Sequence, residues 1–352
     1  MAGPRGYSSY RGKQPIGKIL LAVLLILIIL AAVCFMLMER YLVYDDSGKP
    51  FLDLPPFLNF SIFQETHGSG PAEPDAADIP IISVQEPAEP EKFTMQALLL
   101  PEDTKLWRER ADALPLTNYD AFAATVKRPN GRLAYQSAIE DAAPAKGALS
   151  IEELSALCGE ELHAIARLSS LRDKSYSMAA LDEAGLKNTG GYIFYDLYAD
   201  TWLDPSKVGA QTYLVRLAQE CADMGFDEIL LADFGFPTAG KLDKVAYPAE
   251  GKEAALRSCL TVLRTGLDRG GYEDIRLSLE LPEAVVETGQ DETAGLVLAE
   301  LAPLVDCIYT ATTPERVEAL AAKVAEASET TVFVPELAGP GGDVCLVLAD
   351  GG

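Results

Sequence analysis

The sequence predicts a (β/α)8 barrel over residues 93–352, preceded by one N-terminal membrane-spanning helix and an extended linker. Three observations carry that expectation. Residues 19–38 form an unbroken apolar run without charge. Residues 64–92 are dominated by Pro, Glu, Ala, Asp and Gly. From Phe93 onward, short apolar runs alternate with amphipathic helical stretches, the pattern of parallel βα units.

Residues 1–18 are a polar tail whose charges are Arg5, Arg11, Lys13 and Lys18, with no acid among them. The apolar run that follows would rise about 30 Å as a helix, the thickness of a bilayer's hydrocarbon core. Basic residues ahead of the span predict a cytoplasmic N-terminus and an exported, extracellular remainder, anchored in the cell membrane by a single pass. A cleaved signal peptide has a shorter apolar core and a small-residue cleavage site; here Met38-Glu39-Arg40 follows instead. Cys34 sits in a faintly lipoprotein-like setting, but Val33 is large for the position before such a cysteine, and further apolar residues follow.

Residues 39–63 are aromatic-rich, with Tyr41, Tyr44, Phe51, Phe57, Phe60 and Phe63. They suit either anchoring at the membrane interface or a small hairpin around Asp46-Ser47-Gly48. Residues 64–92 lack the apolar content to bury a core, so they are expected to be a disordered spacer.

Eight strands are predicted beyond the spacer: 95–101, 121–127, 162–168, 191–198, 226–234, 274–281, 305–312 and 330–337. Helices fall between them. Leu214, Leu217, Cys221 and Met224 recur at helical spacing after Asp204-Pro205, as do Leu256, Cys259, Leu260, Leu263 and Leu267. Val317, Leu320, Ala321 and Val324 do the same after Thr313-Pro314. Eight strands over about 250 residues is the size of one barrel. An open doubly wound sheet is the alternative, disfavoured because no Gly-rich phosphate loop follows the first strand.

Composition excludes several function classes. The formal net charge is −24 in 352 residues, which disfavours nucleic acid, since phosphates need Lys and Arg for neutralisation. An exported domain also has no nucleotide cofactor to hand, and no cofactor is expected. The chain has only two histidines, His67 and His163. Histidine-based metal sites and Ser-His-Asp triads are therefore not expected, and His163 reads as a structural residue. Cys158, Cys221, Cys259, Cys307 and Cys345 are widely spaced and odd in number, the pattern of buried free thiols rather than a disulfide framework or a zinc site.

In a barrel, function sits at the C-terminal ends of the strands. Carboxylates and aromatics gather there: Asp196 and Asp200, Asp233 and Phe234, Glu280 and Glu283, and Glu336, with Arg167, Tyr195, Tyr198, Trp202, Phe236 and Tyr309 nearby. Two carboxylates flanking a sugar bond, beside aromatic rings, are the requirements of glycoside hydrolysis.

Four ordered segments add a resemblance. FDEILLADFGFP (226–237), preceded by TWLDP (201–205) and a helix, resembles the glycosyl hydrolase barrel domain of bacterial surface proteins. That family carries Trp-Leu-Asn-Pro, a helix, Gly-Phe-Asp-Glu-Ile and a strand ending Asp-Tyr-x-Arg-Phe-Pro. IARLSSLRD (165–173) is similar to its Ile-Ala-Arg-x-x-x-Phe-Lys-Asp strand. VKRPNGRLAY (126–135) is similar to its Val-Lys-Asp-x-x-Gly-x-Leu-x-Tyr turn, and residues 288–310 are similar to its Gly-Gln segment and following strand.

The resemblance spans about residues 93–340 and implies a barrel with a carbohydrate or cell-wall glycan as partner. It also exposes departures. Thr125 stands where the family's second strand has an acid, Ala232 where its fifth strand has Asp, and Gly235 where that fifth-strand motif has Arg. Asp233 lies one residue along, and a one-residue step turns a strand side chain to the other face. Asp233 therefore replaces the missing carboxylate only if the backbone re-aims it.

The resulting expectation is a membrane-anchored, glycoside-hydrolase-like barrel that binds glycan with weakened or lost catalysis. The alternatives are an active hydrolase with a rearranged carboxylate pair and a non-catalytic envelope scaffold. Asp233 and Glu280 are the candidate catalytic residues. Arg167, Lys127, Trp202, Asp196, Phe236, Tyr309 and Glu336 are the candidate substrate-binding residues, with Arg167, Trp202 and Asp233 expected in one cleft.

Overall fold

The computed structural model describes residues 42–44, 50–52, 93–114, 117–159 and 162–348. The expected membrane span 19–38 and spacer 64–92 lie outside the described residues. Among the described residues, no helix is long and apolar enough to cross a membrane.

The chain divides into two units, Met1–Val84 and Gln85–Gly352. The described part of the first is a pair of short antiparallel strands, β1 (Leu42–Tyr44) and β2 (Pro50–Leu52), with Val43 opposite Phe51. This is the hairpin alternative for that segment.

The second unit is a closed barrel of eight parallel strands surrounded by helices. In chain order its strands are β3 (Met95–Leu99), β4 (Ala121–Lys127), β7 (His163–Ser169), β8 (Glu228–Ala232), β9 (Arg276–Glu280), β12 (Cys307–Ala311), β13 (Val332–Leu337) and β14 (Val344–Val347). Each pairs in parallel with the next, and β14 pairs with β3 to close the ring. Between β4 and β7, strands β5 (Arg132–Tyr135) and β6 (Ala143–Leu149) extend the sheet outside the ring. A small antiparallel pair, β10 (Gln290–Asp291) and β11 (Leu296–Val297), lies between β9 and β12.

Seven of the eight expected strands are present. The eighth, 191–198, is a loop: Tyr192, Leu197 and Tyr198 are exposed, and its backbone closes local turns. Its tyrosines lie at the surface, not in a sheet. The true last strand is β14, four residues of Val-Cys-Leu-Val after a Gly-rich turn. It is shorter than the runs that periodicity picks out.

Alternation along the strands sorts their residues into two cores. Ala97, Ala121, Ala123, Ile165, Leu230, Tyr309, Val334 and Leu346 fill the barrel interior. The intervening residues, among them Phe122, Ala166, Leu231, Leu279 and Ile308, face the helices. The two longest helices among the described residues, α4 (Val208–Asp223) and α5 (Lys252–Arg269), bury the leucines and cysteines expected from their spacing. Each such leucine contributes about 1.5–3 kcal/mol. The two helices meet closely at Gly266, where a Cβ would come within 2.5 Å of Val215. Helix α4 starts at Val208, later than Asp204-Pro205 suggests, because Asp204 instead organises the preceding turn by accepting from the Ser206 amide at 3.0 Å. All five cysteines of the barrel unit are free, and four of them are buried.

At the barrel's base, His163 opens β7 and its Nε2 lies 2.9 Å from the fully buried Glu228 carboxylate. The structural reading of His163 holds.

Candidate functional site

The C-terminal ends of the strands carry a mouth with two lobes. Side chains of the interior face form its floor: Thr125 and Arg167 are opposite one another in register, and Glu280, Ala311 and Glu336 continue the layer. The first lobe is a cleft of about 540 Å³ bordered by Thr125, Arg128, Asn130, Arg167, Asp200 and Glu336 among others. The second, about 300 Å³, is bordered by Trp202, Asp233, Phe234, Phe236, Glu280 and Glu283 among others.

An ion pair forms the wall between the lobes. Arg167 donates through Nε to Glu280 Oε2 at 2.5 Å and through Nη2 to Oε1 at 2.7 Å. Both oxygens of that carboxylate are thereby occupied in the strong two-point geometry of guanidinium and carboxylate. Burial works against the Arg167 charge, yet the carboxylates of Glu280, Glu336 and Asp233 outweigh it and raise its pKa.

Glu336 is the third member of this group. It is only 6% exposed, and its Oε1 has no hydrogen-bond partner. Burial first, then the Glu280 charge, push its carboxyl up to about 8, against the lowering influence of Arg167. Near neutral pH it therefore carries its proton. A carboxyl that keeps its proton, with a second carboxyl group beside it, is the kind of pair that acid catalysis of glycoside cleavage uses.

Asp233 reaches the mouth through its backbone. It has φ +50, in the left-handed region that a non-glycine residue enters at a cost of about 1–3 kcal/mol. Asp tolerates that conformation better than most residues. The turn lifts the side chain off the helix-facing side of β8. Ser169 Oγ donates to Asp233 Oδ2 at 2.6 Å. Ala232, by contrast, has the interior parity of Leu230 and offers no chemistry at the position where the resemblance places an acid.

Trp202 borders the second lobe, and its indole Nε1 donates to Asp196 Oδ2 at 3.1 Å. The single cleft expected for Arg167, Trp202 and Asp233 is divided: Arg167 borders the first lobe and the other two border the second. Two residues absent from the candidate set join them: Arg172 pairs with Asp200 at the rim of the first lobe. Their signal was available in sequence only as an Arg beside Asp173 and an acid just beyond the 191–198 run.

Four expected ligand residues do other work. Lys127 is fully buried and pairs with the equally buried Asp173 at 3.0 Å. A bulge between Thr125 and Lys127 sets Lys127 opposite the outward-facing Leu168, which turns it away from the cleft. Tyr309 is fully buried inside the barrel, where burial and the Glu228 charge push its phenol well up. Asp196 spends Oδ1 on the amides of Tyr198 and Asp200, at 2.8 and 2.9 Å, and Oδ2 on Trp202. Phe236 is 2% exposed and packs edge-on against Tyr247, so it backs the second lobe without offering a ring face.

Two of the four motif segments prove to be one structural unit. Asp173 accepts from the Tyr176 amide to cap helix α3 (Lys174–Ala179) and takes the Lys127 charge. Gly131, at φ +77, leaves the room Asp173 needs: a Cβ there would lie 2.0 Å from Asp173 Oδ1. Among the described residues, no group of His, Cys, Asp and Glu is arranged to hold a metal ion.

Residues 101–330 match the family described as "Putative glycosyl hydrolase domain". No curated protein matches. Similar solved structures include a hypothetical protein from Ruminiclostridium thermocellum, 24% identical, covering 52% of this chain and 96% of that one with a TM-score of 0.44. The glycoside hydrolase domain of PelA from Pseudomonas aeruginosa is 12% identical, covering 69% and 83% with a TM-score of 0.40. Ega3 of Aspergillus fumigatus, in complex with galactosamine, is 7% identical, covering 69% and 76% with a TM-score of 0.38.

Proposed function

Because the chain belongs to this glycosyl hydrolase domain family, we propose that it is a glycan-binding barrel of the glycoside-hydrolase type in which catalysis is weakened. One observation carries the reading. Thr125, on the first lobe, and Ala232, at the interior side of the end of β8, stand where the resemblance puts acids, while Arg167 grips both oxygens of Glu280. A carboxylate held at both oxygens is a poor nucleophile or base, because attack or proton uptake must first break a charge-assisted pair. Binding is better supported. Arg167, Arg172, Asp200 and Asp233 offer donors and acceptors for sugar hydroxyls, and Trp202 offers an apolar edge to the second lobe.

Residual turnover would use Glu336 as proton donor to the glycosidic oxygen and Asp233 as the remaining anion. The raised carboxyl of Glu336 favours a second reading, an active hydrolase with this rearranged pair. General acid–base assistance contributes about 10²–10⁴-fold in rate, so the two readings differ by a measurable factor.

We further propose that residues 19–38 tether the barrel to the cell membrane, with a cytoplasmic N-terminus and the sugar site outside. That arrangement rests on the apolar run and the four basic residues before it. A cell-wall or other envelope glycan is then the partner, with neither nucleic acid nor a nucleotide cofactor involved.

The test is binding and hydrolysis measured together on envelope and host glycans with the solubilised full chain. Binding that Arg167→Ala weakens, with hydrolysis barely above background, is the expected result. Robust hydrolysis lost in Glu336→Gln and Asp233→Asn would replace this reading with the second.

A further inference from the structure

The loop that sequence periodicity mistook for a strand exposes Tyr192, Tyr195 and Tyr198 at 75%, 46% and 72%, with Leu197 at 68% between them. Among the described residues, every exposed large aromatic side chain lies in this one segment of seven residues. A single exposed apolar residue needs no explanation, but a concentration of this kind marks an interaction surface.

The loop is built, not loose. The Asn188 amide donates to Tyr192 O at 2.7 Å, the Phe194 amide to Leu186 O at 3.0 Å and the Asp196 amide to Asp200 O at 3.0 Å. The Asp196 carboxylate fastens the Tyr198 and Asp200 amides. The loop after β8 braces it from the side: the Thr189 amide donates to Lys244 O and the Ala246 amide to Lys187 O. Phe194 is buried beneath as an anchor. Rings presented on a fixed backbone lose little entropy on binding.

The loop is tied to the mouth. Asp196 holds the Trp202 indole of the second lobe, and Asp200, two residues beyond Tyr198, borders the first. From this geometry we propose that Tyr192, Tyr195 and Tyr198 form an outer subsite of the cleft, which makes the ligand an extended oligosaccharide or polysaccharide and not a mono- or disaccharide. The inference rests on the glycan reading above and adds the length of the ligand to it.

Three features commit the surface to a sugar chain. It is tied to a cleft whose polar groups suit hydroxyls. Its rings have an apolar face for the C–H side of a pyranose and a hydroxyl for its rim. The strongly acidic chain repels polyanions that also stack on aromatics.

The experiment uses the solubilised full chain and a panel of neutral and amino-sugar oligomers, each in lengths of two and eight sugars. Calorimetry compares the natural chain, Tyr192→Ala/Tyr195→Ala/Tyr198→Ala and Arg167→Ala. The natural chain should bind the eight-sugar form of its preferred oligomer at least about tenfold more tightly than the two-sugar form. The triple variant should lose that gain and keep the two-sugar affinity, whereas Arg167→Ala should weaken both. The matching Tyr→Phe triple variant, which keeps the rings, should retain most of the gain and controls for folding. A length gain that survives in the alanine variant, or no length gain in the natural chain, overturns the outer subsite and leaves the glycan reading standing. Failure of every oligomer to bind at either length overturns both.

Discussion

Glu336 and Lys127 are both buried charges in principle, and the protein treats them oppositely. Lys127 has Asp173 against it, so each neutralises the other. Removing one partner of such a pair costs about 3–5 kcal/mol, because the other is left buried and uncompensated. Lys127→Ala should lower the unfolding free energy from chemical denaturation by that order, and adding Asp173→Asn should recover part of the loss. Glu336 has no equivalent partner and keeps its proton instead, with its carboxyl raised to about 8. The sign follows from linkage: the unfolded chain releases this proton near the ordinary glutamate pKa of about 4.3, while the folded chain holds it to about 8. Glu336 therefore destabilises the fold progressively as pH rises between those values. Glu336→Gln should match the natural chain in melting temperature near pH 4 and exceed it above pH 8. An equal difference at every pH would mean that Glu336 does not titrate in that window.

At the scale of elements, the strands were legible where apolar runs coincide with burial on both faces. AFAATVK, HAIARLS and EILLA are buried almost throughout, and their pattern admits few other readings. Residues 191–198 carry a similar density of large apolar side chains for a different reason: they face solvent beside the mouth. Periodicity cannot tell a ring aimed at a ligand from one aimed at a core. The site was legible as an inventory of acids at strand ends, but not as an arrangement. That Glu280 is bound by Arg167 and Glu336 is left protonated depends on contacts 113 residues apart in the chain for the first pair. The role of Lys127 was hidden by a bulge that alternation does not announce. Two element-level predictions follow from the local geometry. Gly131→Ala puts a side chain at φ +77 and against Asp173, so it should destabilise by more than the roughly 1 kcal/mol of an ordinary Gly→Ala conflict, read from chemical denaturation. Asp196→Ala frees the Tyr198 and Asp200 amides together with the Trp202 indole. Faster amide exchange across 192–202, with the barrel strands unchanged, is the expected outcome of a hydrogen-exchange comparison.

For the whole molecule, the proposal is a sugar site at the C-terminal face of an acidic barrel, with residues 19–38 as its tether to the membrane. Protease added to intact cells should remove the barrel and spare the N-terminal tail; a protected barrel would reverse the topology. The central claim is that the cleft keeps binding while the acids that would drive turnover are replaced. Restoring them measures it directly. Hydrolysis of a bound glycan should be followed for the natural chain and for Thr125→Asp/Ala232→Asp, with affinity determined in parallel. Thr125 borders the first lobe, and Ala232 ends β8 with the interior parity of Leu230. The account predicts similar affinity and a gain in rate of about 10²-fold or more, the usual size of an acid–base contribution. A natural chain that already turns over rapidly, and is slowed by the two added acids, would contradict it.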